Sequence, residues 1–524
     1  MKNSLRNYPN KMCIQREEYV MKSGSCRCFC KIKKIILPAL ISAFIVIAAF
    51  PLLLTGCDFS RNSNTGTKTD NVTLIYYTIG HPDKDLKLVN DHLNILLMEK
   101  LGFKIDYRKI DWNDYHTTLS SLLMSGGDFD IAFAGSDEHG DFVGNAKKGY
   151  WLDLAPYLDN IGKDMYEAIH KDFWEGVTID NHVFGVPTNK ELAVPMHFIY
   201  NKELVDKYNI DITKYHDFAS LEPLLALIAE KEPDYVPLAL DMSRKNIFAP
   251  KSYEYVVSPA VPLMVNSYDE TLQVVNIYET EHARELLSTL HNYFKKGYIN
   301  ADAPICYFSS LDFMEVKAFC STASGGPYSA NMWSSSWGYP VVSEQVSDPI
   351  IKTEDVQSSV MVVNAATRHP EECVKFLNLL NTDPETRNLI NYGVKNIHYT
   401  LTPHDQVEVI SDAYNAATYT QGNWFILKTL ASEPQDKWEQ FKKFNDSAVK
   451  SELFGFKPET SGYEKEISDI TALMDTYGPA LSTGSVDPEV YLPRLNEDLK
   501  KAGIEELKEE LQRQINAWLQ KKKM

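Results

Sequence analysis

Three strand-like runs alternate with two helical stripes early in the chain. The runs are β-branched and aromatic, and they cover residues 72–77, 103–110 and 130–134. Between them apolar residues recur at helical spacing, and the two stripes end at Gly102 and Gly126. Because crossovers between parallel strands are right-handed, this order predicts a parallel sheet with helices on its faces.

Ligands of such sheets bind beyond the carboxyl ends of the strands. The loops that follow the three predicted strands cover residues 78–84, 111–113 and 135–141. We therefore expect one edge of the sheet to carry the function.

The rest of the body predicts further short strands and helices. Its clearest strands and helices cover residues 194–200, 282–294, 360–363 and 504–518. Two more helices are expected to begin at Pro370 and after Asp383, since proline is favoured in a first helical turn. Residues 321–340 are rich in Ser, Gly and aromatic residues and predict a loop.

The amino terminus has the pattern of a lipoprotein signal peptide. Three lysines precede the apolar run 35–54, which ends in Leu54-Thr55-Gly56-Cys57. This arrangement predicts a signal peptide over residues 1–56 and a lipid on Cys57, with translation starting at Met1 or Met21. A membrane-spanning helix is the alternative, which Pro38 and Pro51 weaken. The polar residues 57–70 predict a flexible tether with a reach of roughly 20 Å.

Composition and charge exclude several classes of protein. With 44% hydrophobic residues the chain can bury real cores, so it is not intrinsically disordered. The net charge is −18, and residues 57–524 hold 44 Lys and Arg against 69 Asp and Glu. Such an acidic body repels phosphate backbones, so nucleic acid is excluded as a partner.

The cysteines that follow Cys57 are predicted to be inert thiols rather than members of a disulfide framework. Only Cys306, Cys320 and Cys373 remain in the body. A bond between Cys306 and Cys320 is an alternative, but buried thiols are favoured.

Enzyme signatures are missing from the sequence. The motifs of nucleotide-binding loops, zinc proteases and serine hydrolases do not occur in the body, and the histidines are not spaced as metal ligands. The closest acidic pairs are Asp83 with Asp85 and Asp128 with Asp130. A glycosidase would need two carboxyl groups across a cleft. Helix capping by Asp83 or Asp85 and turn formation by Asp128 are the favoured interpretation.

Aromatic residues beside polar ones are the positive signal. Sugar rings have an apolar face and a hydroxyl rim, so carbohydrate sites combine flat aromatic rings with Asp, Asn or Gln. Trp112 between Asp111 and Asn113 has this composition at the end of a predicted strand. The alternative is a core role, which is favoured for Trp151, Trp174, Trp438 and Trp518. The candidate ligand-binding residues are Asp83, Asp85, Asp111, Trp112, Tyr115, Ser136, Asn189, Trp333, Trp337 and Trp424.

The assembled pattern resembles the extracellular solute-binding lipoproteins of bacterial ABC importers, in their carbohydrate-binding family. The resemblance is carried by the lipobox, the first βαβαβ unit, Gly185-Val186-Pro187, residues 199–204 (IYNKEL) and residues 364–377 (NAATRHPEECVKFL). Residues 111–115 (DWNDY), 391–393 (NYG) and the carboxyl-terminal helix are similar to LipO-like members. Relatives often carry Glu-Gly where this chain has Lys395-Asn396, so no role of that Glu carries over.

The resemblance implies a two-lobed α/β fold of the periplasmic-binding-protein type, with hinge crossovers and a helical carboxyl-terminal extension. Lobe one is expected over residues 71–193 and 362–400, and lobe two over residues 194–361 and 401–524. The protein would be a lipid-anchored monomer on the outer face of the cytoplasmic membrane of a Gram-positive-type bacterium. It would need no cofactor or metal and would catalyse no reaction.

The implied function is capture of a carbohydrate, and specifically an oligosaccharide, between the two lobes for delivery to an ABC permease. The same fold could instead bind a peptide or another polar solute. A surface-anchored glycoside hydrolase is the third and least favoured possibility.

Overall fold

The computed structural model describes residues 72–135, 139–243, 247–308 and 316–522. The predicted signal peptide, the tether with Cys57, and Ser136 lie outside these residues.

The helices and strands follow one another in three stretches of the chain. Up to residue 187 they are β1 (Thr73–Ile79), α1 (Leu86–Lys100), β2 (Lys104–Ile110), α2 (Tyr115–Ser125), β3 (Ile131–Ala134), α3 (Phe142–Lys147), α4 (Ala155–Leu158), α5 (Lys163–Ala168), α6 (Lys171–Val177), β4 (Thr178–Ile179), β5 (His182–Val183) and β6 (Val186–Pro187). Up to residue 351 they are β7 (Met196–Asn201), α7 (Lys202–Tyr208), α8 (Glu222–Lys231), β8 (Val236–Leu238), β9 (Tyr253–Tyr255), β10 (Leu263–Asn266), β11 (Val275–Asn276), α9 (Glu281–Lys295), β12 (Ala318–Ser324), α10 (Ser329–Trp337), β13 (Val341–Gln345) and β14 (Ile350–Ile351). Beyond it they are α11 (Thr353–Gln357), β15 (Val360–Val363), α12 (Pro370–Thr382), α13 (Pro384–Tyr392), β16 (Tyr399–Leu401), β17 (Val407–Val409), α14 (Lys437–Ser447), β18 (Val449–Lys450), α15 (Glu464–Ser482), α16 (Pro488–Lys501) and α17 (Ile504–Lys522).

The first lobe is built on a five-stranded sheet with the order β2-β1-β3-β15-β6. β1 is parallel to β2 and β3, as the alternating pattern predicts, and β15 is antiparallel to both of its neighbours. The inward side chains of the sheet, such as Leu74, Tyr76 and Ile105, are fully buried. The carboxyl ends of β1, β2 and β3 therefore meet at one edge.

The second lobe has a four-stranded sheet with the order β13-β7-β12-β8 and a separate sheet of β11, β10 and β9. The last three helices add Ile470, Leu499 and Leu511 to its buried core. Two cores of this kind confirm the predicted two-lobed α/β fold with a helical carboxyl-terminal extension.

The chain passes between the lobes three times. The passages run from β6 to β7, from β14 to β15, and from α14 into residues 449–456. β14 and β18 pair in parallel, so the second and third passages lie side by side. The Asn445 side chain accepts a hydrogen bond from the Leu192 backbone and donates one to the Lys190 carbonyl, which ties the first passage to α14.

Residues 401–430 differ from the predicted lobe boundary. They were expected in lobe two, but the Gln421 side chain accepts a hydrogen bond from the Tyr76 hydroxyl and donates one to the Tyr107 hydroxyl, both in the first sheet. Asn189, which follows β6, also pairs with Asn423. These buried polar groups of the first sheet need partners, and the returning chain supplies them.

Residues 329–337 form helix α10 where a loop was predicted. Serine usually disfavours a helix because its hydroxyl competes for backbone groups. Here the hydroxyls of Ser334 and Ser336 donate to carbonyls four residues earlier, and Trp333 and Trp337 bury one face. Burial of two large rings outweighs the weak propensity.

The cysteines of the described chain are free thiols, as favoured by the sequence. Burial raises the pKa of Cys306 to about 12 and also raises the pKa values of Cys320 and Cys373. They are therefore poor nucleophiles at neutral pH.

Phe454 tests the third passage between the lobes. It is buried in the core of the first lobe, whereas its neighbours Leu453 and Phe456 belong to the second core. We expect Phe454→Ala to lower the free energy of unfolding by about 3 to 5 kcal/mol, measured by urea titration. Ile95→Ala is the control, because Ile95 is exposed and its loss should change stability by less than about 0.5 kcal/mol. Equal stability of the two variants would contradict the assignment.

Candidate functional site

Aromatic side chains gather where β1, β2 and β3 end. Trp112 follows β2, and its ring stacks on Tyr419 with 6.1 Å between the ring centroids and 25° between the planes. His139, which follows β3, meets Trp112 edge-on at 6.3 Å. Tyr419 keeps 41% of its surface exposed. The pair of rings gives this edge a flat, partly exposed apolar surface.

Polar groups flank the rings. His81 Nδ1 lies 2.7 Å from Asp111 Oδ2, and the backbone N–H of Asn113 donates to Asp111 Oδ1 at 3.2 Å. These hydrogen bonds lower the pKa of Asp111, that from His81 most, so the carboxylate stays charged at neutral pH. The apolar rings therefore lie beside a hydrogen-bonding rim.

Tyr419 belongs to residues 418–424, here called the aromatic loop. This loop adds no strand to the sheet. Ser359 at the start of β15 donates its hydroxyl to the Tyr419 carbonyl. The backbone N–H of Asn189 donates to the Gly422 carbonyl at 3.0 Å, and that of Trp424 donates to the Asn189 carbonyl at 2.9 Å. The loop is thus hydrogen-bonded to two neighbouring strand ends of the first lobe.

In the second lobe, aromatic rings gather at the carboxyl end of β12. Trp333 of α10 lies edge-on to His197 of β7, with 5.3 Å between the centroids. A Cβ atom at Gly325 would lie 2.8 Å from the Trp333 ring, and one at Gly326 would lie 3.3 Å from the Phe441 ring of α14. The two glycines therefore let rings from α10 and α14 approach the end of β12 closely.

Asp111 and Trp112 lie together at the strand ends, as predicted. Trp424 is half-buried, with its ring 6.2 Å from both Trp438 and Phe441. Trp333 lies near the end of β12, but only 6% of it is exposed. A ligand role for these residues stays a prediction.

The structure corrects the prediction of three ligand-binding residues, Tyr115, Asn189 and Trp337, because each has a structural role. Tyr115 is fully buried and its hydroxyl donates to the Phe133 carbonyl. Trp337 is 3% exposed. The Asn189 amide donates to Asn423 and to a backbone carbonyl. In each case, packing or hydrogen bonding within the protein covers the side-chain surface that a ligand would have to contact.

The pair Asp83 and Asp85 has neither of the roles expected from sequence. Asp83 forms an ion pair with Lys109, and the two side chains are 8% and 1% exposed. Asp85 precedes α1 without a side-chain capping bond and lies 3.3 Å from His398 Nε2. Both carboxylates tie distant segments of the first lobe together, which corrects their prediction as ligand groups.

Sequence reasoning missed Tyr419, His139 and His81. Tyr419 lies far along the chain from Trp112, and its neighbours Thr418 and Thr420 give no sign of a site. His139 lies in the predicted loop 135–141, so its position could have been inferred from the strand it follows.

Two further observations concern the part of the chain that the structure describes. No helix there is long and apolar enough to cross a bilayer. No three His, Cys, Asp or Glu side chains there gather closely enough to hold a metal ion.

Comparison with known families gives two matches to this chain. Residues 88–248 match the family described as bacterial extracellular solute-binding protein. A domain of unknown function, DUF3502, covers residues 452–520, which include the last three helices.

The chain is similar along nearly its whole length to proteins of Streptococcus pneumoniae. It is 30% identical over 495 residues to a carbohydrate ABC transporter substrate-binding protein, covering 93% of this chain and 99% of the relative. The crystal structure of the N-glycan transport solute-binding protein NgtS has 29% identity and a TM-score of 0.79, over 86% of this chain and all of NgtS (100%). NgtS in complex with Man5GlcNAc has 30% identity and a TM-score of 0.67, over 87% and 100%.

Burial of the His197 ring predicts that the folded protein loses stability at acidic pH. Burial lowers its pKa to about 4, so the folded protein keeps the ring neutral while the unfolded chain binds a proton below about pH 6.5. The contribution of His197 should therefore lower stability as the pH drops from about 6.5 to about 4, and this contribution should level off below that. Between pH 7.5 and 4.5 we expect wild type to lose about 1 to 3 kcal/mol more than His197→Gln, measured by urea unfolding.

His404→Gln is the control, because His404 is exposed and its loss should leave the wild-type pH dependence in place. Parallel pH profiles of wild type and His197→Gln would show that burial of His197 does not contribute.

Proposed function

Because the chain belongs to the carbohydrate ABC transporter substrate-binding proteins, we propose that it captures an oligosaccharide between its two lobes and delivers it to a membrane permease. The observation that carries this proposal is the stacked pair of Trp112 and Tyr419 at the strand ends of the first lobe. A pyranose ring packs its C–H face on such a surface, and its hydroxyls can bond to a rim like that around Asp111.

We propose a mannose-containing N-glycan as the ligand. NgtS, crystallised with Man5GlcNAc, shares 30% identity with this chain over 87% of its length. The half-buried rings of Trp424 and Trp438 provide aromatic surface beyond Trp112 and Tyr419, as a ligand of several sugar units would use. A peptide or another polar solute is not favoured, because the relative that matches 93% of this chain is a carbohydrate ABC transporter substrate-binding protein.

Binding would work through closure of the lobes. A ligand that contacts both lobes favours the closed state by its differential affinity, and the closed surface would then dock on the permease.

The ligand would leave chemically unchanged. Asp83 is held in a buried ion pair with Lys109, and Asp85 lies against His398, so neither is placed as a hydrolytic acid or base. Since one chain supplies both lobes, the unit of binding would be a monomer.

Loss of the Trp112 ring tests the site. We expect Trp112→Ala to weaken binding of Man5GlcNAc by about 1 to 3 kcal/mol in isothermal titration calorimetry, because the sugar loses its stacking surface. Trp518→Ala is the matched control. Trp518 packs on Phe456 in the second lobe, so its loss should lower stability and leave affinity unchanged.

Equal affinity of Trp112→Ala and wild type would remove Trp112 from the site. A glycan recovered with altered mass after incubation with wild type would contradict binding without reaction and favour a hydrolase.

We further propose that Cys57 carries a lipid that anchors the body outside the cytoplasmic membrane, since it follows an apolar run and a Leu-Thr-Gly sequence. Cells grown with labelled palmitate should incorporate the label into wild type and not into Cys57→Ala, measured by autoradiography of the immunoprecipitated protein. Cys306→Ala is the control and should keep the label. Absence of label from wild type would favour the spanning helix.

A further inference from the structure

We propose that Gln421 is a positioning residue for the ligand, acting through the Tyr419 ring. The inference rests on the proposed function, because it concerns how the stacking surface is held. Tyr419 lies on the aromatic loop, and Gln421, two residues later, points the opposite way into the first sheet.

Gln421 links the loop to two neighbouring strands. Its Oε1 accepts from the Tyr76 hydroxyl of β1 at 2.9 Å, and its Nε2 donates to the Tyr107 hydroxyl of β2 at 3.0 Å. All three side chains are buried, and β1 and β2 pair with Tyr76 opposite Tyr107. One amide side chain therefore links the loop to both β1 and β2.

Other contacts hold the loop on each side of Gln421. Thr420 Oγ1 lies 3.3 Å from Thr78 Oγ1 in β1. Arg387 of α13 is fully buried and donates from Nη2 to the Thr418 carbonyl at 3.1 Å. At Gly422, with φ of +67°, a Cβ atom would lie 2.8 Å from Arg387 Nε, so the loop can pass here only as glycine.

Tyr419 itself has few such restraints on its ring. Its contact with Trp112 is an offset stack at 6.1 Å, and the ring is partly open to solvent. Its backbone must therefore be fixed for the ring to lie beside Trp112 before a ligand arrives. A preordered surface binds more tightly because less conformational entropy is lost on binding.

A double-mutant cycle tests this positioning role, with Man5GlcNAc as the probe in calorimetry. We expect Tyr419→Ala to weaken affinity about tenfold, or about 1.4 kcal/mol, and Gln421→Met to weaken it about fivefold. Because Gln421 acts through the ring, the double variant should bind within about twofold of Tyr419→Ala alone.

Stability separates positioning from a general effect on folding. Gln421→Met removes one hydrogen bond from each of two buried tyrosine hydroxyls, so it should lower the melting temperature in both backgrounds. Gln406→Met is the matched control. Gln406 is also buried and bonds to Thr429 and two backbone carbonyls, so its loss should lower the melting temperature and leave affinity unchanged.

Additive losses of affinity in the double variant, or unchanged affinity in Gln421→Met, would overturn the positioning role. If Gln421→Met does not fold, Ser359→Ala takes its place in the cycle, because it removes the hydroxyl that donates to the Tyr419 carbonyl. Absence of binding by wild type would contradict the proposed function instead.

Discussion

The edge of the first lobe that carries Trp112 depends on hydrogen bonds between buried tyrosines and a loop that returns from far along the chain. Tyr76 and Tyr107 bring hydroxyls into an apolar core, where an unpaired polar group costs about 1 to 3 kcal/mol. Gln421 bonds to both hydroxyls at once. The same contacts hold the loop that carries Tyr419 next to Trp112, so they contribute both to the stability of the core and to the position of the two stacked rings.

The three passages between the lobes set what the protein can do mechanically. They lie close together, since β14 pairs with β18 and Asn445 binds the backbone of the first passage. A bundle of adjacent passages permits rotation about one region but resists sliding, because sliding would break these hydrogen bonds. Closure of the lobes would therefore be a hinge motion about these passages.

The sequence predicted the first sheet well, because alternating helices and strands with short connections leave few topologies. The predicted strand 360–363 agrees with the structure residue for residue. It could not predict the aromatic loop, since the contacts of Gln421 with Tyr76 and Tyr107 span most of the chain and leave no local pattern. Core packing also buries Tyr115 and Trp337, and because this packing leaves no local pattern, both were predicted to contact a ligand. Helix α10 was missed because tertiary burial, not local propensity, decides it.

The charged groups at the strand ends of the first lobe have partners within the lobe, although the body is strongly acidic. Asp83 forms a buried ion pair with Lys109, and Asp111 lies 2.7 Å from His81. A charged ligand at Lys109 or Asp83 would have to break this buried pair and would leave the other charge uncompensated. Under the proposed function a neutral sugar would avoid that cost, because it would pack an apolar face against Trp112 and Tyr419 and use Asp111 as a hydrogen-bond acceptor. The stacking rings, rather than electrostatic attraction, would then supply most of the affinity at this edge.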